Sequence, residues 1–388
     1  MEKRVYLDHN ATTPPDPRVI EAMIPYYTEA WGNASSLHLF GRSAKAGLED
    51  SREIIADVFN CLPEEIFFTS GGTESDNFAV KGLAYELADK GKHIITSAIE
   101  HHAILESFQF LEEQGYEVTI LGVDNEGFVD PADLKKAIRP DTILASIMYA
   151  NNEVGTIQKI DELAGICHEH GVIFHTDAVQ AAGKIPIDLK KTPIDLMSTS
   201  AHKIYGPKGV GILFIRQDVR IHPWQTGGHH ERGKRAGTEN IPAIVGYAKA
   251  MELAKQEMAA NDKKISAIAE EFRHRVMREI PDVRFNGPEE GRIKGTVNLS
   301  FKGAEGEAII LNLDLKGIGV TSGSACTSGA LEPSHVLTAM GVPPELAQSA
   351  IRFSFGKGND PEDVEYIIDS LKEAIEKLRK MSPFYSSK

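Results

Sequence analysis

Two kinds of pattern alternate along the middle of the chain: short apolar runs, and longer stretches in which apolar residues have helical spacing. The short runs are typical of buried strands, and the stretches between them are helices of about three turns. The predicted strands are Glu65–Thr69, His93–Ser97, Glu117–Leu121, Thr142–Tyr149, Val172–Thr176, Ile194–Ser200 and Val210–Arg216. This alternation predicts an α/β fold, with a mostly parallel sheet that is covered by helices on both faces.

The pattern differs at the two ends of the chain. Before the alternation come a strand (Val5–Leu7), a helix (Pro17–Ala30), a loop (Gly32–Arg42) and a helix (Ser43–Phe59). After it comes a long helical stretch (Ile241–Ile280), either one helix or two joined near Asn261, and then strands near Val283–Phe285, Thr296–Phe301 and Ala350–Phe355 and helices at Glu307–Leu315 and Pro361–Met381. We expect a large domain over residues 15–255 and a smaller α+β domain over residues 256–388, which the N-terminal segment 1–14 joins.

Composition and charge narrow the class of protein. The 388 residues suffice for more than one domain, and the formal net charge of −14 argues against nucleic acid or an anionic membrane as the main partner. No apolar run approaches the roughly 18 residues of a membrane span, and the N-terminus lacks an apolar signal core. Three cysteines, Cys61, Cys167 and Cys326, are no disulfide framework. We therefore expect a cytoplasmic protein.

Polar motifs follow several of the predicted strands, at the edge of the sheet where ligands of such folds bind. Lys203 lies in SAHKIYGPKG, between two strands, with Ser200 and His202 beside it. Asp177 directly follows a buried strand, and Gln180 comes three residues later. A lysine in a surface hairpin is the simpler explanation of Lys203 alone, but a carboxylate facing it across a pocket suits the ring nitrogen of a pyridine cofactor.

The segment TSGGTESDN, Thr69 to Asn77, supplies the third part of this pattern. Its glycines allow close approach of the backbone, and the amides around Gly72 and Thr73 would face an anion at a helix N-terminus. A simple capping turn, with Thr73 and Asp76 as a capping box, is the alternative. A lysine, an acid and a phosphate site together indicate pyridoxal phosphate, whereas the GxGxxG of nicotinamide binding is absent.

Histidine and amide side chains follow two further strands. His101 in AIEHHA can stack on a flat ligand or transfer protons, while a metal site would need a third ligand for which the sequence offers no spacing. Asn152 lies in YANNEVGTIQ, where paired amides suit a carboxylate or a ring substituent, although turns also favour asparagine.

These residues belong to motifs that extend from Tyr6 to Gly356. The motifs are YLDHNATTP, GGTESDN, IEHHA, NNEVGTIQ, HTDAVQ, SAHKIYGPKG, ERGKRAGTEN, SGSACTSG and IRFSFG. In them the chain resembles the cysteine desulfurases of the NifS/IscS type, in the class V aminotransferase superfamily. The resemblance implies the fold-type I architecture of pyridoxal-phosphate enzymes, with a mostly parallel seven-stranded sheet in the large domain and a smaller α+β domain.

The resemblance also implies a role for each residue of the predicted site. Lys203 would form the Schiff base with the cofactor, and His101 would stack on the ring and serve in acid–base steps. Asp177 would contact the pyridine nitrogen and Gln180 the ring oxygen. The residues implied to hold the phosphate are Gly72, Thr73, Ser200 and His202.

Three further residues are implied to complete the site. Asn152, counted also among the cofactor contacts, and Arg352 would take the carboxylate of the substrate, for which an arginine is well suited. Thr238 would reach the phosphate in the neighbouring subunit, which implies a homodimer. One departure is His230 in GGHHERG, where the family pattern would have glutamine, and it leaves the fine contacts of that loop open.

Cys326 differs from the other two cysteines in its surroundings. It lies among serine, threonine, glycine and alanine in Ser322–Gly329, which predicts an exposed and mobile loop. A buried, hydrophobic role is usual for a lone cysteine and suits Cys167 and Cys61. A mobile thiol can instead accept sulfur from a substrate and pass it on.

The resemblance implies that the chain converts L-cysteine to L-alanine and a persulfide on Cys326, which supplies an iron–sulfur scaffold protein. A class V aminotransferase, a selenocysteine lyase and a non-catalytic sulfur-assembly subunit are the alternatives. The thiol loop argues against the aminotransferase, and Lys203 argues against the non-catalytic subunit. We expect no metal in the isolated enzyme, and whether Cys326 ligates a cluster transiently stays open.

Overall fold

The computed structural model describes residues 3–323, 333–382 and 385. Its strands are β1 (Val5–Tyr6), β2 (Ile66–Thr69), β3 (His93–Ser97), β4 (Glu117–Leu121), β5 (Thr142–Ser146), β6 (Ile173–Asp177), β7 (Leu196–Ser200), β8 (Gly211–Ile215), β9 (Val283–Asn286), β10 (Thr296–Phe301), β11 (Ile318–Gly319) and β12 (Ala350–Ser354). Its α-helices are α1 (Pro17–Met23), α2 (Pro25–Thr28), α3 (Leu39–Phe59), α4 (Gly72–Glu86), α5 (His102–Glu113), α6 (Pro131–Ala137), α7 (Ile160–Glu169), α8 (Ile241–Glu279), α9 (Gly306–Asp314), α10 (His335–Ala339), α11 (Pro344–Gln348) and α12 (Asp363–Met381).

The main sheet has seven strands in the order β2-β8-β7-β6-β5-β3-β4. β8 is antiparallel to both of its neighbours, and the remaining pairs are parallel. The predicted α/β fold with a mostly parallel sheet is confirmed. The carboxyl ends of β5, β6 and β7 therefore lie side by side at one edge.

Both faces of this sheet are buried, because neighbouring residues along a strand point to opposite sides. Phe68, Ile95 and Ala145 belong to one hydrophobic cluster, together with residues of α3, α7 and α8. The residues before them, Phe67, Ile94 and Leu144, belong to a second cluster with residues of α4 and α5. This explains why the strands read as continuous apolar runs in the sequence.

A separate hydrophobic cluster lies around the antiparallel sheet β12-β10-β9. It includes the C-terminal half of α8, the inner face of α12, and Val5 and Leu7 from the start of the chain. β1 pairs in parallel with β11, with Val5 opposite Ile318. The N-terminal segment thereby runs from this second core to the edge of the main sheet, where Thr13 N donates to His202 O at 2.9 Å.

Several predicted boundaries differ from the structure. The helix predicted over Pro17–Ala30 is two helices, because Pro25 starts a new one and has no N–H to continue α1. The loop predicted over Gly32–Arg42 is partly wrong, since α3 begins at Leu39, with His38 Nδ1 capping the amide of Gly41 at 3.2 Å. α8 is one continuous helix without a break at Asn261.

Across the ranges that the structure describes, none of the helices combines the length and the apolar character needed to cross a membrane.

Candidate active site

Lys203 ends a 3-10 helix, Ala201–Lys203, that directly follows β7. Its half-buried side chain turns toward the N-terminal segment, where Nζ donates to Asn10 O at 2.5 Å and to Ala11 O at 2.8 Å. The lysine is thus held at the carboxyl edge of the main sheet.

Asp177 is the last residue of β6, the strand next to β7. Its carboxylate is buried, and Oδ1 accepts a hydrogen bond from Val179 N at 2.8 Å. Burial raises the pKa of Asp177, while the charges of His101 and Lys203 act in the opposite direction. The predicted acid, imidazole and lysine are therefore close enough for their charges to interact.

His101 is the N-cap residue of α5 and projects from the loop after β3. Its Nδ1 accepts a hydrogen bond from Ala103 N at 3.1 Å, so the neutral ring carries its proton on Nε2. Burial is the largest of the causes that lower the pKa of His101. A neutral imidazole with its proton on Nε2 suits both stacking on a flat ring and proton transfer.

The N-terminus of α4 is open to an anion. Gly71 has a φ of +153°, and within the described residues no side chain caps the helix. A Cβ on Gly72 would lie 2.8 Å from Val179 Cγ2, and one on Gly71 would lie 3.9 Å from Ser200 Oγ. The cradle therefore needs glycine, and it brings the free amides near the Ser200 hydroxyl, which fits a phosphate.

The alternative of a capping box in this segment is wrong. The side chain of Thr73 is exposed and does not cap α4, and Asp76 is buried with its Oδ1 3.8 Å from His175 Nε2. Burial and the charge of Asp177 raise the pKa of Asp76 well above its usual range. Asp76 thus belongs to a buried polar layer behind Asp177.

His202 follows Ser200 and lies against the N-terminal segment. Its Nδ1 is 3.1 Å from Thr12 Oγ1, and its carbonyl oxygen accepts hydrogen bonds from both N and Oγ1 of Thr13. Burial lowers the pKa of His202 to about 4, and Lys203 and Lys208 add to the effect. The ring is neutral at physiological pH and would meet a phosphate as a hydrogen-bond donor rather than as a cation.

Gln180 lies three residues after Asp177, in the turn that follows β6, and is also buried. Its Nε2 donates to Asn10 O at 2.9 Å, and its Oε1 accepts a hydrogen bond from Lys184 Nζ at 2.7 Å. Asn10 O thus accepts from both Lys203 and Gln180. The peptide of Asn10 is a fixed point between the lysine and the glutamine.

Arg352, on β12, brings the second core to this edge of the sheet. It donates through Nη2 to Asp8 Oδ1 at 2.7 Å and through Nη1 to Asn152 O at 3.0 Å. Its Nε is buried and has no hydrogen-bond partner in the described ranges. The guanidinium and Asn152 lie together, with donor capacity left for a carboxylate.

Comparisons of the sequence and the structure with known proteins agree on the family of this chain. A family model described as aminotransferase class-V matches residues 5–367. The chain belongs to this family. Cysteine desulfurase IscS of Dictyoglomus turgidum is 53% identical over 384 residues, 99% of this chain and 98% of that protein.

Two other relatives place the chain among the cysteine desulfurases of the family. Cysteine desulfurase IscS of Methanosarcina thermophila is 50% identical over 381 residues, which is 98% of this chain and 94% of the relative. A solved structure named NifS-like protein superposes with a TM-score of 0.92 at 40% identity, covering 97% of this chain and all of the other. Enzymes of this family are pyridoxal-phosphate-dependent, and the fold is that of their fold-type I group.

Thr238 lies in the loop that precedes α8 in this desulfurase. It is exposed and borders a second cavity of about 210 Å³, together with Ser70 and Gly209. The loop that carries it is fixed by Glu231, whose buried carboxylate pairs with Arg52 and also accepts from Phe68 N at 2.8 Å. His230, the departure from the family pattern, contacts Glu239 through Nδ1 at 2.8 Å.

Cys326 lies outside the described residues. The exposed loop that the sequence predicts around it therefore stays a prediction. The described residues on either side of that segment meet at Glu153. Ser334 Oγ donates to Glu153 Oε2 at 2.6 Å, and a Cβ on Gly323 would lie 2.9 Å from the same oxygen. Gly323 and Ser334, the described residues near the two ends of that segment, thus lie next to Glu153, the sequence neighbour of Asn152.

The two described cysteines are poor nucleophiles. Cys167 is fully buried and Cys61 is half-buried, and burial raises the pKa of each thiol to about 12. In the described ranges, no group of three or more His, Cys, Asp or Glu side chains is arranged to hold a metal ion.

Sequence reasoning missed the residues that connect the site to the N-terminal segment. Asp8, Asn10 and Thr12 lie in YLDHNATTP, a motif that carried the family resemblance but received no role. Lys184 was also missed, although it lies only four residues after Gln180, in the same turn. A lysine following an acid and a glutamine at a strand end was the available signal.

Proposed function

We propose that this cysteine desulfurase converts L-cysteine to L-alanine and a persulfide on Cys326, with pyridoxal phosphate bound at Lys203. One observation carries the proposal. The structure gathers Lys203, buried Asp177 and His101 at one sheet edge, beside the uncapped N-terminus of α4. A nucleophilic amine, an acid for a ring nitrogen and an anion cradle together match this cofactor.

The residues that would hold the cofactor follow from the contacts already described. The phosphate would lie on the amides of Gly72 and Thr73, with Ser200 Oγ and the neutral His202 ring as further donors. Asp177 would take the ring nitrogen, Gln180 the ring oxygen, and His101 the ring face. Bound pyridoxal phosphate would supply an electron sink that weakens the bond between the α-carbon of the amino acid and its proton.

Lys203 then moves the proton at the α-carbon. Its Nζ already lies between two carbonyl oxygens, Asn10 O and Ala11 O, which would steady the released amine. Burial raises the pKa of Asp177, and the charges of His101 and Lys203 lower it only in part, so a protonated ring nitrogen beside the carboxylate would be its main stabilising partner. His101, with its proton on Nε2, is a hydrogen-bond donor toward the substrate side of the ring.

Arg352 and Asn152 would bind the carboxylate of the substrate. The guanidinium is fixed in position by Asp8 and by the Asn152 carbonyl, and its Nε has no partner in the described chain. A carboxylate bound there would orient the amino acid for proton removal at Lys203.

The sulfur step belongs to Cys326. Its thiolate attacks the sulfur of the bound L-cysteine, so that the S–S bond forms as the C–S bond breaks. The electron pair of the C–S bond stays with the three-carbon product, which takes up a proton and leaves as L-alanine. One thiol and one cysteine give one persulfide and one alanine, so the step needs no outside oxidant or reductant.

We infer that the enzyme is a homodimer in which Thr238 reaches the phosphate of the partner's site. Its exposure in the single chain supports this, as does a band of exposed apolar side chains. The band consists of Ile20, Ile24, Tyr27, Trp31, Leu37, Leu39 and Phe40. Exposed apolar side chains that are concentrated in one segment, with Trp31 stacked on Phe40, favour an interface there.

We propose further that the persulfide supplies an iron–sulfur scaffold protein, which is the partner that the resemblance to the NifS/IscS type implies. The separate cores support a division into a large domain over residues 15–255 and a small domain over residues 256–388 with segment 1–14.

The cytoplasmic location stays a prediction from cysteine usage.

An absorbance and product assay tests this proposal. The wild type should bind pyridoxal phosphate with a visible absorption band that changes on addition of L-cysteine, and it should release L-alanine. Lys203→Ala should bind the cofactor without that band and form no alanine. A wild-type protein that ignores added pyridoxal phosphate, or a Lys203→Ala variant with unchanged alanine formation, would refute the proposal. Relative rates on L-cysteine and L-selenocysteine separate the desulfurase from a selenocysteine lyase.

A further inference from the structure

Lys184 is a second lysine beside the proposed cofactor site, and the mechanism above gives it no role. Its half-buried side chain donates through Nζ to Gln180 Oε1 at 2.7 Å and to Asn10 Oδ1 at 3.2 Å. It borders the same cavity of about 590 Å³ as Lys203. Burial, together with the charges of Lys203 and Arg352, lowers the pKa of Lys184 to about 7. Burying a lysine costs free energy unless its ammonium group is hydrogen-bonded or paired.

The contacts of Lys184 decide how the carboxamide of Gln180 is oriented. A lysine ammonium is only a donor, so the side of the amide that faces it must be the oxygen. A carbonyl oxygen is only an acceptor, so the side that faces Asn10 O must be the nitrogen, at 2.9 Å. Lys184 and Asn10 together exclude the flipped amide.

This orientation has a consequence for a bound ring. Gln180 Nε2 carries two N–H groups, of which one is used by Asn10 O. The second N–H is then available as a donor, whereas a flipped amide would present an oxygen. The ring oxygen of pyridoxal phosphate carries negative charge and requires the donor.

We propose that Lys184 is a positioning residue, which fixes the Gln180 carboxamide as a donor toward the ring oxygen and, in its protonated form, adds positive charge on that side of the ring. The inference rests on the proposed function, because it assumes pyridoxal phosphate at Lys203. The charged groups that act together with Lys184 are Lys203 and Arg352, the latter paired with Asp8, and the neighbouring titratable ring is that of His9.

The test compares variants of the full chain by cofactor affinity, by the pH midpoint of the absorption band of bound pyridoxal phosphate, and by melting temperature. Lys184→Met should weaken cofactor binding about tenfold, the effect of losing one hydrogen bond to a charged group. It should also raise the pH midpoint, because a positive charge near the ring disfavours protonation. Lys184→Arg, which keeps donor and charge, should stay within about threefold of wild-type affinity. Lys191→Met, an exposed lysine nearby, is the control and should change nothing.

A double variant separates positioning from general stability. If Lys184 acts through Gln180, Lys184→Met should add little to the loss of affinity caused by Gln180→Ala. Full additivity of the two losses would overturn the inference, as would a Lys184→Met protein with wild-type affinity and midpoint. If Lys184→Met does not fold, Lys184→Leu, which also lacks a donor and a charge, takes its place with the same expected results. A wild type that does not bind pyridoxal phosphate would instead refute the proposed function itself.

Discussion

At the scale of single residues, Asp177 shows how the site balances burial against charge. The carboxyl lies at the end of a buried strand, and desolvation alone raises its pKa. His101 and Lys203 oppose this effect with their charges, and a protonated ring nitrogen would do so more strongly at closer range. The negative charge is thus stabilised mainly when the site is filled.

Substituting Asp177 by asparagine, which has the same shape but no charge, should separate the role of the charge from that of packing. Asp177→Asn retains an oxygen that can accept from Val179 N, so we expect the protein to fold. Alanine formation should fall at least a hundredfold, because the ring nitrogen loses its ionic partner. Asp218→Asn, at an exposed acid outside the site, is the matched control. Activity within a few fold of the wild type in Asp177→Asn would contradict the assigned role.

The thiols offer a second test at this scale. Thiolates are the reactive form, and burial raises the pKa of Cys61 and of Cys167 to about 12. In native protein at pH 8 we expect one rapidly reacting thiol, measured with a chromogenic disulfide, and none in Cys326→Ser. Denatured wild type should show all three. Rapid reaction of the native Cys326→Ser protein would show that another cysteine is exposed.

The sequence predicted the site residues that follow strands, because parallel strands bring their carboxyl ends to one edge. Asn10 was beyond that argument. It contacts Gln180 and Lys203 across separations of 170 and 193 residues, and no periodicity indicates such contacts. The orientation of Gln180, and with it the proposed role of Lys184, follows only from hydrogen bonds that the structure shows.

At the scale of elements, the loop from Gly227 to Asn240 is fixed by one buried ion pair. Arg52 on α3 donates to both oxygens of Glu231, at 3.0 and 2.8 Å, and both side chains are almost fully buried. The loop needs this contact because Glu231 and Arg232 adopt left-handed backbone conformations, with φ of 46° and 55°. The pair thereby holds the segment that presents Thr238.

Breaking this pair should destabilise the protein more than a comparable surface change. Glu231→Gln removes the buried counter-charge of Arg52 and leaves the guanidinium only the more exposed Glu49 at 3.2 Å, so we expect a loss of about 3 kcal/mol in the free energy of unfolding, measured by urea denaturation. Asp57→Asn, which removes the partner of Lys255 in an exposed pair, should have little effect. Equal effects of the two substitutions would contradict the importance of the buried pair.

Element boundaries were predicted well where apolar periodicity was long and poorly where short local signals competed with it. The whole of α8 read as helical because its apolar positions persist over 39 residues. The short helices α10 and α11 and the two-residue strand β11 were missed, because each contains too few residues for a period to emerge. β11 forms because β1 lies beside it, which is a contact between distant segments.

At the scale of the whole molecule, the layer of acids behind the site makes stability depend on pH. Glu100 is fully buried, and its Oε1 accepts from Ser97 Oγ at 2.5 Å and from Met148 N at 2.9 Å. Burial raises the pKa of Glu100 from 4.5 to about 8. Between these pH values the folded chain holds a proton that the unfolded chain releases, so Glu100 lowers stability as pH rises.

Substitution by the neutral isostere should remove this dependence. Glu100→Gln keeps the accepting oxygen, so we expect the difference in unfolding free energy between variant and wild type to grow in favour of the variant from pH 5 to pH 8. The gain should reach a few kcal/mol, since each unit of pKa shift corresponds to about 1.36 kcal/mol. Parallel stability profiles for the two proteins over this range would show that Glu100 does not titrate in this window.

The central claim is that sulfur leaves L-cysteine and arrives on Cys326, through a site built around Lys203. A single-turnover reaction with L-cysteine, followed by peptide mass spectrometry and alanine quantification, tests it most directly. The account predicts one alanine for each Cys326 peptide that gains the mass of one sulfur atom in the wild type, and neither product in Lys203→Ala. Cys326→Ser should carry no added sulfur on Cys61 or Cys167. Alanine formation by Cys326→Ser at the wild-type rate, or wild-type persulfide on another cysteine, would contradict the account.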